Sequence, residues 1–599
     1  MCCFNEKIEK AIKIIEEFFN KKFDRKIKYY KTEEGCDSEI KIEDGVVEFA
    51  YSSEAVLFRM ILDYLSGNQS SRTYKPSYKR IGIMIDCARN GVPNIKGLKD
   101  FIVMMALLGY NYLGLYLEDC FAVNNEPYFG YMRGRYSEKE LKEIVEFSDA
   151  FGVEIVPYIQ TLAHISRIFN HYDVYAAKIR DTNDILLIDE PRTYELIENE
   201  IQTIASIFKS KFVNIGMDEA FLMGYGKYRE IHGVCDRSEM LVRHTKKICD
   251  VCAKYGLTPI AYSDTFCRLV DEKDIPQNLV LNVWNYSFVN GKDDPINKIK
   301  NKKTFSSGVH KWYGYAPLNE FSEKIYLTAI EKTTGVYDDF SIALWGDDGS
   351  ECSYNSVWYS LIKASKSIYV TSSEIDSDKT AMFLTSYNMD ELLTMDLPNK
   401  VFDVKMEKPT NISKYLLFED LFYGIADKVD SLKYTKYFKA HKETLYNLSK
   451  RTSKFSYLYK ELYQLCYVLE IKNDIRINLI KAYKNRDIKY LKNLCKQILP
   501  KLIKEIEKFK TEVEFVWDKE NKSFGIEVQT IRLAGLVERL KYVRNKILNY
   551  VTGKITIIEE LEEVNLSPQA DDDKYNGAGI FNNYEMNVTY GNITHRVYN

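Results

Sequence analysis

Ser137-Glu-Lys-Glu-Leu-Lys-Glu-Ile-Val-Glu-Phe-Ser-Asp-Ala-Phe151 runs through Gly152 into Val153-Glu-Ile-Val-Pro-Tyr-Ile159, and this stretch holds the unit from which the fold is built. Ser137 and Glu140 have the spacing of a capping box, the segment from Glu138 to Phe151 is an amphipathic helix, and Gly152 is a stop signal just before an apolar β-type run. The unit recurs. From about Arg80 to Val370 the apolar runs are Ile81 to Cys87, Tyr112 to Leu117, Val153 to Ile159, Phe212 to Gly216, Thr258 to Tyr262, Leu279 to Trp284, Phe305 to Trp312 and Ser341 to Trp345. They alternate with helical stretches such as Leu98 to Leu108, Tyr194 to Phe208, Glu239 to Tyr255, Phe321 to Glu331 and Val357 to Ile368. Near-continuous apolar strands between helices predict a parallel sheet covered on its outer face. Eight such units in residues 80–370 fit an α/β fold of the (β/α)8 TIM-barrel type, and a doubly wound open sheet has the same local pattern.

Residues 1–75 carry a helix pattern from Lys7 to Phe19, short alternating runs around Ile40 to Tyr51 and a second helix from Ser53 to Leu65, which predicts a small α+β domain. Residues 375–560 turn to Lys, Tyr, Leu and Ile at helical spacing and predict an α-helical domain. Its long segments are Tyr437 to Leu469 and Ile488 to Thr511, the second kinked at Pro500. Residues 561–599, rich in Asn, Asp and Gly, lose periodicity and read as an irregular tail.

The formal net charge over 599 residues is −3, so no whole-chain field draws in nucleic acid or an acidic membrane surface. A neutral small-molecule or glycan partner fits better. No stretch of about 18 apolar residues is present, so no membrane span is expected, and the charged start lacks the apolar core of a secretory signal. The 12 cysteines then read as reduced thiols and a cytoplasmic location is expected. Cys249 and Cys252 form a C-x-x-C inside a helix, without a second pair or a His at zinc spacing. They read as ordinary helix residues, and neither a metal nor a cofactor is expected. A homodimer is expected because the long Lys- and Tyr-rich helices must bury their apolar stripes against something.

In a barrel the reactive groups lie just past the C-terminal ends of the strands. Phe212-Val-Asn-Ile-Gly-Met-Asp-Glu-Ala220 is an apolar strand that leads directly into two adjacent carboxylates. Neighbours on a strand face opposite sides, so Asp218 and Glu219 share a pocket only if the backbone has already left the strand. Two carboxylates crowded in a dry pocket titrate as a pair, one ionised and the other holding a proton near neutrality, which supplies an anion and a general acid together. An Asp-Glu pair without context is more often an acidic loop capping the next helix.

Asn214-Ile-Gly-Met-Asp-Glu-Ala220 resembles the signature of glycoside hydrolase family 20, the β-N-acetylhexosaminidases, and further matches follow in order along the barrel, about half of the chain. Ile83-Met-Ile-Asp-Cys-Ala-Arg89 resembles the first strand, which implies that Arg89 grips the sugar's ring hydroxyls. Thr161-Leu-Ala-His164 resembles the loop after strand three, with His164 supporting the acid. Val283-Trp284 and Leu344-Trp345-Gly346 resemble strands six and eight, whose tryptophans wall the terminal-sugar subsite. Trp312-Tyr313 resembles the strand-seven end, where Tyr313 holds the acetamido oxygen, with Tyr315 as its competitor across Gly314. Asp347 falls where the family has a Glu that binds hydroxyls on the sugar's far side. The chain departs from the pattern in Gly114-Leu-Tyr-Leu-Glu-Asp119, where only Asp119 transfers as a substrate-binding residue, and at Tyr262, which replaces a frequent Trp. The physical chemistry agrees: a planar Arg suits vicinal hydroxyls, and indole faces cover the apolar side of a pyranose.

The resemblance implies a retaining exo-β-N-acetylhexosaminidase that removes terminal GlcNAc or GalNAc from an oligosaccharide or glycoconjugate. The 2-acetamido oxygen attacks, Glu219 is the acid and Asp218 stabilises the oxazolinium, without metal or cofactor. The competing readings are another barrel glycosidase for 2-acetamido sugars, O-GlcNAcase-like or endo-acting, and a non-catalytic glycan-binding barrel.

Overall fold

The computed structural model describes residues 2–33, 37–43, 45–286, 299–400, 411–424 and 432–563. Nearly all of the expected tail, 564–599, lies outside them. Eight parallel strands close on themselves: β1 Arg80–Asp86, β2 Tyr112–Tyr116, β3 Glu154–Tyr158, β4 Phe212–Asn214, β5 Thr258–Tyr262, β6 Val280–Trp284, β7 Lys303–Gly308 and β8 Asp339–Leu344. β8 pairs with β1 from Asp339↔Arg80 to Leu344↔Ile85, which excludes the open sheet. The expected seventh strand reached Trp312, whereas β7 stops at Gly308 and Val309 to Trp312 belong to the rim.

Strand alternation separates two cores. Ile81, Ile83 and Ile85 of β1 join the large core under the surrounding helices. Met84, Tyr112, Tyr116, Val156, Tyr158 and Ala343 form a second cluster, the barrel interior, completed at the C-terminal rim by Tyr262 and Trp345. Tyr112 can cross the interior because its partner is Gly82, where a Cβ would meet the ring at 2.1 Å. At the opposite end Arg80 lies between the rings of Tyr112 and Phe212, 4.6 and 4.5 Å from their centres, and pairs with Glu154 and Asp339 at 2.6 and 3.0 Å.

The N-terminal part holds the helices Cys2–Phe19 and Glu54–Leu65 and a five-stranded sheet in the order Lys26–Lys31, Val46–Tyr51, Ser38–Glu43, Arg72–Pro76, Tyr369–Thr371. The last strand comes from beyond the barrel and pairs antiparallel with Arg72–Pro76. Three residues gave too short a pattern for the sequence reading to find it.

The C-terminal part is helical, with two differences from expectation. Tyr437 to Leu469 is two helices, Leu432–Ser449 and Ser456–Lys472, separated by a turn in which Ser453 Oγ accepts the Phe455 N–H at 3.0 Å. The kink expected at Pro500 is a π-helical turn, Leu494–Ile498, immediately before the helix Leu499–Glu520. Proline cannot donate back into the preceding turn, and it occupies the new helix's first turn, where no donor is needed.

This helical part packs on the barrel rim. Lys522 N–H donates to Val92 O at 2.8 Å, Asn90 Nδ2 to Gly525 O at 2.6 Å and Gln529 Nε2 to Gly349 O at 3.0 Å. Behind the β8 loop, Asp348 and Glu351 share two cations, Lys414 and Arg532, all of them at most 2% exposed. Arg532 reaches Asp348 at 2.7 Å and Glu351 at 2.6 Å. Removing one partner leaves a buried charge uncompensated. Arg532→Met is therefore expected to lower stability by roughly 3–5 kcal/mol, whereas Lys7→Ala, which breaks an exposed pair with Asp149, costs under about 1 kcal/mol. Urea unfolding of the two variants checks the contrast.

Candidate active site

β4 ends at Asn214, and the next residues leave the sheet by left-handed turns, with φ of +72° at Gly216, +72° at Met217 and +52° at Glu219. A Cβ on Gly216 would meet Gln160 Oε1 at 1.9 Å. With glycine there, Gln160 Oε1 accepts the Met217 N–H at 3.2 Å and its Nε2 donates to Asp218 Oδ1 at 2.8 Å. Both carboxylates then converge on His164, whose Nε2 stands 3.3 Å from Asp218 Oδ2 and 3.5 Å from Glu219 Oε2. These are ion-pair contacts outside hydrogen-bond alignment. His164 and Glu118 are also left-handed, at φ +55° and +44°. Such strain in non-glycine residues costs about 1–3 kcal/mol each and gathers at functional sites.

The pair is electrically unequal. Burial pushes Asp218 up, but His164 and the Gln160 N–H outweigh it and hold the carboxyl below its usual range. Glu219 is raised by burial, with Asp218 and Asp264 adding to the rise against His164. Burial would lower His164, yet Asp218 holds it at about 9. Near neutrality the site therefore contains an anion, an imidazolium and a carboxyl that keeps its proton more readily than its neighbour.

Barrel closure brings the remaining groups in. Asp86, at the end of β1, accepts the N–H groups of Ala88 and Arg89 on one oxygen, at 2.9 and 3.2 Å, and the Gly346 N–H after β8 on the other, at 3.0 Å. Arg89 Nη1 reaches Glu118 at 2.5 Å and its Nε stands 3.6 Å from Asp347. Burial raises Asp347 to about 6 against the pull of Arg89. Trp345 Nε1 donates to the Tyr286 hydroxyl at 2.7 Å, and Trp284 Nε1 to Asp264 Oδ1 at 3.3 Å. The other oxygen of Asp264 accepts the Glu219 N–H at 2.9 Å.

Arg89, His164, Asp218, Glu219, Tyr262, Trp284, Trp312, Trp345 and Asp347, all singled out from the sequence, line one cavity of about 170 Å³ together with Tyr286. Two residues expected there are elsewhere. Asp119 is buried against Arg133 at 3.2 Å, and the left-handed turn at Glu118 sends that carboxylate to Arg89 in its place. Tyr313 takes φ +60°, donates its backbone N–H to Asp347 O at 3.3 Å and is absent from the wall. Its competitor Tyr315 is 1% exposed and donates to Gln529 Oε1 at 2.9 Å, in the contact with the helical part.

Sequence reasoning passed over Tyr286, Gln160 and Glu118. Tyr286 had a signal, since it lies two residues after Trp284 and alternate residues share a face. Gln160 had none, because its task depends on a glycine 56 positions away. Among the described residues no group of three His, Cys, Asp or Glu could hold a metal ion. Cys249 and Cys252 are buried in the helix Arg237–Lys254, where burial pushes each thiol up to about 12.

Two family models match the sequence: the catalytic domain of glycosyl hydrolase family 20 over residues 78–303, and the glycoside hydrolase 20C C-terminal domain over residues 390–579. The chain belongs to glycoside hydrolase family 20. It is 26% identical to the beta-hexosaminidase of Akkermansia muciniphila, over 34% of this chain and 48% of that protein. It is 25% identical to the probable beta-hexosaminidase of Arthroderma benhamiae, over 35% and 39%. The match thus spans about half or less of the length of these curated relatives. The family 20 exo beta-N-acetylglucosaminidase of Vibrio harveyi, solved with N-acetylglucosamine, superposes with a TM-score of 0.51 at 13% identity, over 66% of this chain and 72% of that one. That is a likeness of fold.

In this family 20 chain the imidazole of His164 is raised by the anion beside it. Because its folded value lies above the ordinary 6.5, His164 contributes stability that is complete below pH 6.5 and is lost as the pH rises through about 9. NMR of labelled histidine is expected to show a His164 midpoint near pH 9. In Asp218→Asn the midpoint should fall toward 6.5 or below, because burial then acts without that anion.

Proposed function

We propose that the protein is a retaining, exo-acting β-N-acetylhexosaminidase that removes terminal β-linked 2-acetamido sugars from oligosaccharides or glycoconjugates by substrate-assisted catalysis. The observation that carries this reading is the adjacent pair Asp218 and Glu219, held at opposite protonation tendencies at a cavity with room for one sugar ring on a family 20 barrel. The beta-hexosaminidase names of the curated relatives support it.

In the first step the acetamido carbonyl oxygen bonds to the anomeric carbon while the glycosidic bond breaks and Glu219 gives its proton to the departing oxygen. Asp218, anionic beside His164, accepts the acetamido N–H and stabilises the oxazolinium charge. In the second step Glu219, now carboxylate, takes a proton from water as the water oxygen attacks the anomeric carbon from the face the leaving group left. The ring opens, the acetamido group is restored, the acid is reprotonated and the configuration is retained.

Tyr286 takes the task expected of Tyr313. Its hydroxyl oxygen accepts the Trp345 N–H, so its own proton can go to the acetamido oxygen. Trp284, Trp312 and Trp345 offer ring faces to the pyranose, and Arg89 and Asp347 meet its hydroxyls. The small volume of the cavity favours a chain end over an internal residue.

The test is hydrolysis of 4-nitrophenyl N-acetyl-β-glucosaminide and its galacto epimer beside the plain β-glucoside. The 2-acetamido substrates are expected to turn over and the plain glucoside not; comparable turnover of the glucoside contradicts the reading. Asp218→Asn should lose about 10²-fold or more whatever the leaving group. Glu219→Gln should lose more as the leaving-group pKa rises, because its task is the proton.

A further inference from the structure

The loop after Glu219 carries apolar side chains that the pocket does not use. Phe221, Leu222 and Tyr225 are 55, 52 and 52% exposed. Their backbone is nevertheless pinned. Phe221 N–H donates to Glu219 O at 2.5 Å in a three-residue turn, and Arg237 donates to the carbonyls of Ala220, Phe221 and Met223 at 3.2, 2.6 and 3.0 Å. Gly224 N–H donates to Asp181 at 2.7 Å, which ties this loop to the one after β3. Adjacent apolar groups held in water on a fixed backbone mark a surface built to be covered.

The position of Phe221 identifies what covers it. The Arg268 guanidinium lies over the Phe221 ring, 4.3 Å from its centre. Arg268 follows Asp264 by four residues in the helix Asp264–Leu269, so the two project from one face. Asp264 is also the residue that accepts the Glu219 N–H. Arg268 and Asp264 thus leave the same helix about one turn, ~5.4 Å, apart, one holding Phe221 and the other the backbone of the general acid. A carboxyl that protonates the glycosidic oxygen has the departing group on its solvent side, and Phe221 is the first large side chain after it in the sequence, 55% exposed.

Resting on the hexosaminidase reading, we propose that Phe221, backed by Arg268, is the platform for the sugar on the leaving-group side of the scissile bond. The ring's open face takes the apolar face of that second pyranose, and the guanidinium on the other face holds the ring in place. The platform adds binding for a glycan neighbour and plays no part in the chemistry of the terminal sugar.

Two substrates separate these effects. The β-1,4-linked disaccharide of N-acetylglucosamine fills both positions, whereas 2-acetamido-2-deoxy-β-glucosyl fluoride fills only the pocket and loses a leaving group too small to reach Phe221. Phe221→Ala is expected to lower kcat/KM for the disaccharide roughly 3- to 10-fold, mainly through KM, and to leave the fluoride unchanged, while Phe221→Trp retains disaccharide activity. An equal fall on both substrates, a fall on the disaccharide carried by kcat as a disturbed general acid would give, or no fall on the disaccharide, overturns the platform. If the unaltered protein hydrolyses neither, the 2-acetamido reading itself falls and the platform with it.

Discussion

Closure of the barrel is the constraint on which the site depends, and one carboxylate records it. Asp86 ends β1 and holds with one side the turn that carries Arg89, with the other the Gly346 N–H that follows Trp345, a residue 260 positions away. A parallel sheet of eight strands can bring these two ends together only by closing. Once it does, Arg89 and Asp347 oppose each other across the rim, and Trp345 leans into the interior against Tyr116, with ring centres 4.6 Å apart.

The helical part explains how that rim is held from outside. Its residues Lys414 and Arg532 neutralise Asp348 and Glu351 just behind Asp347, and its Gln529 bonds both Gly349 and Tyr315. Positive φ at Asp348 and Ser350, +65° and +54°, shows that the β8 loop does not take a relaxed path. Neighbouring structure has to over-determine such a backbone. The buried ion network and the C-terminal helices do so here, leaving the pocket face of the loop free for its aromatic and acidic side chains.

What could be read from the sequence follows physical range. The switch between period 2 and period 3.6 is local, so eight strands and most intervening helices were legible from Ser137 to Ile159 outward. Asp218 and Glu219 were legible because β4 visibly runs out before them. The choice between Glu118 and Asp119 was not, since both follow the same strand and only the left-handed turn at Glu118 sends one to Arg89. Tyr313 was misplaced for the same reason: a left-handed turn that side-chain alternation cannot anticipate. Gln160 and the strand Tyr369–Thr371 depend on partners far along the chain, the first on Gly216 and the second on Arg72–Pro76.

In the proposed mechanism the attacking group comes from the sugar, and the unequal carboxylates supply the anion and the acid that this requires. Asp218 is held below the usual carboxylate range by His164 and Gln160, and Glu219 is raised toward the protonated state. The most direct measurement is kcat/KM along a series of aryl β-glucosaminides whose N-acetyl methyl carries none, one, two and three fluorines. Each fluorine weakens the carbonyl oxygen as a nucleophile while leaving the rest of the sugar in place. A steep, progressive fall across the series is expected; a rate indifferent to fluorine would place the nucleophile on the protein.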